Sequence, residues 1–297
     1  MSKPVSCPAC SSTDGRPLIA HDVNRRISAE VFAYRRCRAC GLVFIEAVPD
    51  DLARYYRAEY YSIPADLGEL EVQARREAFK LELVIRHSRG KRLLEIGPSF
   101  GAFAHLSKVA GFDVDAIEMD PACCRFLREE VGVRVSEAVD PVGPIGAGGT
   151  YDTIAMWQVF EHLSQPWAVL RAAAAALSDG GIVVIATPNP DSLQARIWGT
   201  RWTHFDAPRH LELIPLDVLR RNGEAVGLAL VHATTTDLGS LGWNTFGWAE
   251  SMAGLTRHQA LKVPLRLAGK LISVLIAPIE RSGWRGACYT AVLRKGS

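Results

Sequence analysis

Residues 92–103 read RLLEIGPSFGAF, a short apolar run that leads into a glycine-containing loop. The run predicts a buried strand at 92–96, and the next segment predicts a helix at 102–109. In open α/β sheets such a loop lies at the carboxyl end of its strand, where ligands bind. Gly97 and Gly101 allow the backbone to turn there and to approach a ligand closely. The stretch therefore predicts an α/β fold with a small-molecule site at this loop.

Short apolar strands alternate with helices along the rest of the chain, which is typical of a parallel sheet covered on both faces. The further predicted strands are 113–117, 132–135, 151–156, 181–186, 228–235 and 287–293. The other predicted helices are 49–61, 69–88, 120–131, 166–177 and 215–226, and a glycine-rich loop is predicted at 143–149. This order predicts a doubly wound domain over 91–239 and 285–297, preceded by a helical linker or lid at 49–90.

The loop chemistry favours a ribose-bearing cofactor with a positive charge. Glu118 ends the second strand, 21 residues after Gly97, and a carboxylate there can accept both hydroxyls of a ribose. A dinucleotide would need its pyrophosphate against bare backbone, but Pro98 removes one N–H donor and Ser99 replaces the second glycine of G-x-G-x-x-G. Glu95, just before the loop, suits a cation such as an ammonium or a sulfonium.

These motifs resemble the class I S-adenosylmethionine-dependent methyltransferases. The matching segments are LLEIGPSFGAF, AIEMDP, YDTIAMWQVFEHLSQP and LSDGGIVVIATPN, in that order over 92–190. The resemblance implies a Rossmann-like seven-stranded sheet with an antiparallel last strand, and S-adenosyl-L-methionine as cofactor. The cofactor-binding residues that it implies are Glu95, Gly97, Ser99, Gly101, Glu118, Met119, Trp157 and Gln158. Ser99 stands where many members carry glycine, and we expect this departure to tune the affinity.

Four of the seven cysteines form two pairs, Cys7 with Cys10 and Cys37 with Cys40, each separated by two residues. Two such turns can surround one metal ion with a tetrahedron of sulfurs. The alternatives are a redox disulfide and incidental cysteines, but the 26 intervening residues suit a β-hairpin and favour zinc. Four sulfur ligands leave no position for water, so the Zn²⁺ would be structural. Residues 1–48 are therefore predicted to be a zinc ribbon, which extends the resemblance to zinc-ribbon methyltransferases of small molecules and sugars.

Candidate residues for the transfer step lie in WTHFDAPRHLELIP, after the fifth strand. His210 is the first candidate for a general base because histidine titrates near neutral pH, and His162 in the Glu-His-Leu motif is the second. Arg209 is a candidate for holding an anionic acceptor such as a phosphate or a carboxylate. The structural alternative is that Arg209 and His210 shape a loop and cap the helix that follows.

The segment 240–284 is a predicted helical insertion before the last strand. Its predicted apolar face carries Leu265, Ala268, Ile272, Leu275 and Ile279. Its predicted polar face carries Arg266, Lys270 and Ser273. This pattern predicts a helix packed on the domain or in a dimer, and the alternative is a peripheral membrane contact through 262–281.

Composition and charge limit the class of protein. The 297 residues are 48% hydrophobic and 22% charged, which is ordinary for a globular protein, and the net charge of +2 predicts no nucleic-acid partner. From Arg257 onward the chain has eight Lys or Arg residues and one acid, which suits an anionic partner. MSKPVSCPAC has no apolar run typical of a signal peptide, so we expect a cytoplasmic location, with the inner membrane face as the alternative.

Together these features predict a methyltransferase that acts on a small molecule, with an oxygen atom of a sugar or a lipid-linked metabolite as the expected acceptor. One alternative is an RNA methyltransferase, which five arginines of the ribbon would support: Arg25, Arg26, Arg35, Arg36 and Arg38. Nine basic and seven acidic residues up to Tyr60 make that electrostatic signal weak. Another alternative is a non-catalytic interaction module, against which the intact Glu95 and Glu118 argue.

Overall fold

The computed structural model describes residues 5–56 and 62–296. Within them the strands are β1 (Gly15–His21), β2 (Val31–Cys37), β3 (Val43–Ile45), β4 (Arg92–Ile96), β5 (Asp113–Glu118), β6 (Arg134–Glu137), β7 (Tyr151–Trp157), β8 (Leu177–Pro188), β9 (Glu212–Leu213), β10 (Leu228–Thr234) and β11 (Cys288–Lys295). The α-helices are α1 (Leu67–Ala74), α2 (Ala78–His87), α3 (Ala102–Val109), α4 (Pro121–Phe126), α5 (Val142–Ala147), α6 (Pro166–Ala176), α7 (Leu193–Trp198), α8 (Leu216–Glu224), α9 (Leu238–Ala253) and α10 (Gln259–Glu280).

Seven strands form one sheet in the order β10-β11-β8-β7-β4-β5-β6. β4 lies inside this sheet and pairs in parallel with β5 on one side and with β7 on the other. The last strand, β11, is antiparallel. β4 and β7 are buried along nearly their whole length, which is why most of their residues are apolar and do not alternate with polar ones. The predicted seven-stranded α/β fold is therefore confirmed.

Some elements differ from the sequence-based prediction. The segment 69–88 forms two helices, α1 and α2, separated by a 3₁₀ turn at Arg75–Glu77. The prediction of a glycine-rich loop at 143–149 is wrong over most of its length because α5 lies there; its Pro144 is in the first turn, where a missing N–H costs no helical hydrogen bond. The helix predicted at 49–61 is a 3₁₀ turn at Leu52–Tyr55, and residues 57–61 lie outside the described residues.

A second, four-stranded sheet has the order β1-β2-β3-β9. β1 and β2 form an antiparallel hairpin in which Gly15 lies opposite Cys37 and His21 opposite Val31. β9 joins the edge of this sheet by pairing with β3, where Val43 lies opposite Leu213. The N-terminal hairpin is thus completed by a strand from a distant part of the chain, which begins two residues after His210.

The described chain divides into two compact units. Unit 1 holds the residues up to 56, together with 187–219 and 234–290. Unit 2 holds 62–186, 220–233 and 291–296. The domain boundaries predicted from the sequence stay a prediction.

The 240–284 segment of unit 1 contains the helices α9 and α10. The predicted faces of the second helix are wrong in part, because Ser273 is buried and its hydroxyl lies 3.1 Å from that of Thr245 on α9. Leu275 and Ile279, which were expected to pack, are exposed. No helix in the described part of the chain is long and apolar enough to cross a membrane.

Candidate functional site

The loop after β4 passes through the left-handed region of backbone space at three positions. The φ angles are 67° at Gly97, 55° at Ser99 and 87° at Gly101. A β-carbon at Gly97 would lie 2.6 Å from Val159, and one at Gly101 would overlap Leu127. Both glycines are therefore required by the turn and by neighbouring side chains. Ser99 holds a conformation that costs a non-glycine residue about 1–2 kcal/mol, and such strain concentrates at functional sites.

Glu118 ties this loop to the end of β5. One carboxylate oxygen accepts the Ser99 N–H at 2.9 Å, and the other accepts the N–H groups of Met119 and Asp120 at 2.8 and 2.9 Å. Burial raises the pKa of Glu118, although these three donors act to lower it. A carboxylate has about four acceptor positions, so one remains for a ligand hydroxyl.

Glu95 is a buried acid on β4. Burial raises the pKa of its carboxyl to about 8, although the nearby charge of Lys80 acts to lower it. The Ala104 N–H donates to this carboxyl group. Its Oε2 atom has no hydrogen-bond partner among the described residues. Because buried polar atoms are nearly always paired, this oxygen is suited to a bound cationic donor.

Trp157 ends β7 on the same face of the sheet as Glu95. Glu95 lies opposite Ala155 in the parallel register, and Trp157 follows two residues later, so both side chains leave one face. The buried indole Nε1 has no acceptor in the described part of the chain. The Lys80 Nζ lies 5.1 Å from the Trp157 ring centre and 2.8 Å from Glu77 Oε2. The unpaired acceptor, Glu95 Oε2, and the unpaired donor, Trp157 Nε1, therefore lie near the ion pair of Lys80 and Glu77.

A cleft of about 490 Å³ lies beside the glycine loop. It is lined by Phe100 and Ala102 from the loop side, and by α1 and the following 3₁₀ turn on the other side. Its size lies within the roughly 300–1,000 Å³ typical of small-molecule sites. Another cavity, of about 330 Å³, lies beside Gly180 and Leu228 near the starts of β8 and β10. Since ligands of such sheets bind at the carboxyl ends of the strands, the cleft at the loop is the better candidate.

The remaining predicted cofactor residues and His162 also lie in unit 2. Met119 is 46% exposed at the end of β5. Gln158 follows β7 with a φ of 56°, a second strained residue at a strand end. His162 is half-buried at the end of a 3₁₀ turn, and its N–H donates to the Val159 carbonyl at 2.9 Å. Their part in binding or catalysis stays a prediction.

The four predicted metal ligands of unit 1 lie together. The sulfurs of Cys7, Cys10, Cys37 and Cys40 all lie within 4.8 Å of one another. The Cys7–Cys40 and Cys10–Cys37 sulfur pairs are both 3.6 Å apart. A tetrahedral Zn²⁺ with bonds of about 2.3 Å places its sulfurs about 3.8 Å apart. The geometry of these four sulfurs therefore fits such an ion.

Arg209, also in unit 1, is completely buried and holds two carboxylates. Its guanidinium donates to Asp206 at 2.7 and 2.9 Å and to Asp22 at 2.7 Å. It also donates to the Tyr55 carbonyl at 3.2 Å. Burial acts to raise the pKa of Asp206, but Arg209 outweighs it and holds that pKa well below the usual range. These contacts favour the structural alternative for Arg209 over a role in holding an anionic acceptor.

His210 is held in one orientation by its neighbours. Its Nδ1 lies 2.8 Å from the His204 carbonyl oxygen, so the neutral ring donates from Nδ1 and carries its lone pair on Nε2. Nε2 is 4.0 Å from Asp206 Oδ2. The Tyr34 hydroxyl donates to the His210 carbonyl at 2.8 Å.

His204, whose carbonyl holds the His210 ring, is itself buried. Burial lowers the pKa of His204 to about 4, so the imidazole of His204 is neutral at pH 7.

Sequence reasoning missed the residues that hold this loop. Asp22 and Tyr34 lie 187 and 176 positions away from Arg209 and His210 in the chain. Asn24 donates to Asp206 at 2.6 Å and is nearly as distant in sequence. No local pattern could have identified them.

Comparisons with known proteins identify the family of this chain. Residues 70–233 match the sequence model of a family described as methyltransferase domain. A ubiquinone biosynthesis O-methyltransferase of Bordetella pertussis is 32% identical over 127 residues, which cover 40% of this chain and 53% of that protein. Its counterpart in Xanthomonas euvesicatoria is 31% identical over 105 residues, covering 34% of this chain and 44% of that protein. The chain thus spans about half of the length of the curated relatives it matches.

Among solved structures, an S-adenosylmethionine-dependent methyltransferase of Archaeoglobus fulgidus has a similar fold. The TM-score is 0.51 at 18% identity, and the alignment covers 76% of this chain and 97% of that one. At this identity the likeness concerns the fold alone.

Proposed function

The chain belongs to the methyltransferase domain family, and we propose that it transfers a methyl group from S-adenosyl-L-methionine to an oxygen atom of a small-molecule acceptor. The observation that carries this proposal is a pair of buried atoms on one face of the sheet, Glu95 Oε2 and Trp157 Nε1. Neither atom has a hydrogen-bond partner among the described residues. A ligand that brings both a donor and an acceptor would satisfy them. Glu95 belongs to β4, which leads into the glycine loop, and Trp157 ends β7, after which Val159 lies against Gly97 of that loop.

The residues at the loop suit the parts of this cofactor. The remaining acceptor position of Glu118 would take a ribose hydroxyl, and Glu95 would face a cationic group. Exposed Met119, next to Glu118, offers an apolar surface for the adenine. When bound, S-adenosylmethionine supplies an electrophilic methyl group on a sulfonium. The protein then has to orient the acceptor oxygen and to remove its proton.

We assign the proton-removing role first to His210 and second to His162. The support for His210 is its fixed ring, whose basic Nε2 lies 4.0 Å from an ionised carboxylate that stabilises the protonated form. Arg209 is then a positioning residue, because its contacts fix Asp206 and the loop. Single-turnover rates of His210→Gln and His162→Gln, at saturating cofactor, distinguish the two histidines. The base is identified by the variant that loses the acidic limb of the pH–rate profile, because the rate of the wild type falls when the base is protonated at low pH.

We propose that the four clustered cysteines bind one structural Zn²⁺. The sulfur spacing supports this, and so does the absence of an open ligand position in a four-sulfur site. Elemental analysis should give one zinc per chain in the wild type and none in Cys37→Ser. A wild type that folds and binds cofactor without any zinc would contradict the proposal.

For the acceptor we propose an oxygen of a sugar or of a lipid-linked metabolite. The names of the partial relatives, ubiquinone biosynthesis O-methyltransferases, support an oxygen acceptor.

Three arginines of the N-terminal sheet region face carboxylates: Arg35 with Glu46, Arg36 with Asp191, and Arg38 with Asp14. These ion pairs reduce the free positive charge that an RNA-binding ribbon would need.

Calorimetric titration with S-adenosylmethionine and S-adenosylhomocysteine tests the cofactor directly. We expect micromolar binding that Glu118→Ala abolishes. Glu137→Ala is the matched control, since it removes an exposed carboxylate from β6 at the position opposite Glu118. Folded wild type that binds neither compound, or equal binding by both variants, would refute the proposed site.

A further inference from the structure

The outward face of α10 is apolar, which reverses the usual orientation of a surface helix. Leu267, Leu271, Val274 and Leu275 are between 60% and 70% exposed. They recur at intervals of three and four residues and so form one stripe, which we call the α10 stripe. An unpartnered stripe of this kind is unusual on a folded protein and marks an interaction surface.

The inward face of α10 explains why the stripe points outward. A β-carbon at Gly269 would lie 2.5 Å from the Trp248 carbonyl oxygen of α9, so the helices approach closely there. The hydroxyl groups of Ser273 and Thr245 are 3.1 Å apart. Glu280 accepts hydrogen bonds from Gln194 at 2.9 Å and from Trp248 at 3.0 Å. These close and polar contacts hold the helix in one rotation, so the stripe cannot turn inward without breaking them.

The exposed charged side chains of α10 and of the residue that follows it are positive. Lys270 lies within one turn of Leu267 and Val274, and Arg281 follows the helix at its end; both are exposed. Neither acid of α9 and α10 presents an unpaired carboxylate at the surface: Glu280 is buried, and Glu250 binds Arg266 at 2.7 and 3.0 Å. The surface therefore combines exposed leucine and valine side chains with a cationic border.

We propose that the α10 stripe docks on an anionic lipid bilayer, with the helix lying in the plane of the surface. Apolar side chains that enter the interface, with Lys and Arg beside the headgroups, are the two contributions to such binding. A second copy of the chain fits the stripe less well. Lys270 lies at the middle of α10, so a two-fold antiparallel pairing of stripes would place it beside its equivalent in the other copy.

The inference goes beyond the proposed methyl transfer and does not depend on it. Vesicle flotation of the purified full chain tests it without cofactor or acceptor, using phosphatidylcholine alone or mixed with phosphatidylglycerol. We expect flotation only with the anionic vesicles, and loss of binding at high salt. Lys270→Gln/Arg281→Gln should weaken binding about 30-fold, since each cation near such a surface contributes about 1 kcal/mol.

Leu267→Gln/Leu271→Gln should weaken binding by at least about tenfold, because it removes the apolar insertion. Val109→Gln, an exposed apolar position on α3, is the matched control and should bind like the wild type. Circular dichroism checks that each variant is folded. Absence of wild-type flotation overturns the proposal, as does a wild-type dimer in light scattering that the double leucine variant dissociates. Binding that the leucine variant retains would also overturn it.

Discussion

Replacing Arg209 by methionine should destabilise unit 1 strongly, because it removes the guanidinium that binds the two buried carboxylates of Asp22 and Asp206. Asp22 and Arg209 have no exposed side-chain surface, and the Asp206 side chain is 7% exposed. Breaking a buried pair by removing one partner costs about 3–5 kcal/mol, since a charge is left without compensation. We expect a loss of this size in the free energy of unfolding at pH 7, measured by urea denaturation followed through tryptophan fluorescence.

The loss should depend on pH in a defined direction. Burial acts to raise the pKa of Asp22, but Arg209 outweighs it, so the pKa values of Asp22 and Asp206 lie below their usual range in the wild type. Their stabilisation is present above the unfolded pKa of about 3.9 and is lost as the pH falls through the folded values. In Arg209→Met the unpaired carboxyls should instead have raised pKa values. Its deficit should then be more than about 1 kcal/mol smaller at pH 5 than at pH 7.

Arg36→Met is the control for loss of an arginine as such. Arg36 pairs with Asp191 at 3.1 Å, and both side chains are nearly half exposed. Exposed pairs contribute about 0–1 kcal/mol, so this variant should unfold almost like the wild type. If the two variants lose equal stability, or if the Arg209→Met deficit is the same at both pH values, the assignment of a buried ionic network is wrong.

Three further outcomes follow from the site. Because burial raises the pKa of Glu95 to about 8, cofactor binding at pH 7 should release most of one proton. Calorimetry in buffers of different ionisation enthalpy measures this release, which Glu95→Gln should greatly reduce. In thermal unfolding, Gly101→Ala should lower the free energy of unfolding by about 2–4 kcal/mol, because its φ is strained and its β-carbon would overlap Leu127. The control Gly111→Ala has a strained φ but no atom within 4 Å of the added β-carbon, so it should lose only about 1–2 kcal/mol. Chelation of the proposed zinc should make four additional thiols react with Ellman's reagent and lower the unfolding temperature; an unchanged thiol count would contradict a metal site.

Local sequence patterns predicted much of unit 2. The bounds of β4 and α3 agree with the prediction at both ends, because an apolar run, a glycine turn and helical spacing are all encoded within a few residues. The C-x-x-C spacing predicted the cysteine cluster for the same reason. Ser99 was recognised as a departure from glycine, and its φ of 55° shows the backbone conformation for which glycine is usual.

The structure alone decided where side chains point and which distant groups they meet. The residues around Arg209 in the sequence do not show that Asp22 binds its guanidinium from 187 positions away. The outward direction of the α10 stripe depends on Gly269 fitting against the backbone of α9, which helical spacing does not encode. Periodicity determines that a helix forms, and turn residues determine where it ends. The rotation of a helix and the partner of a buried charge are set by packing between segments that are remote in sequence.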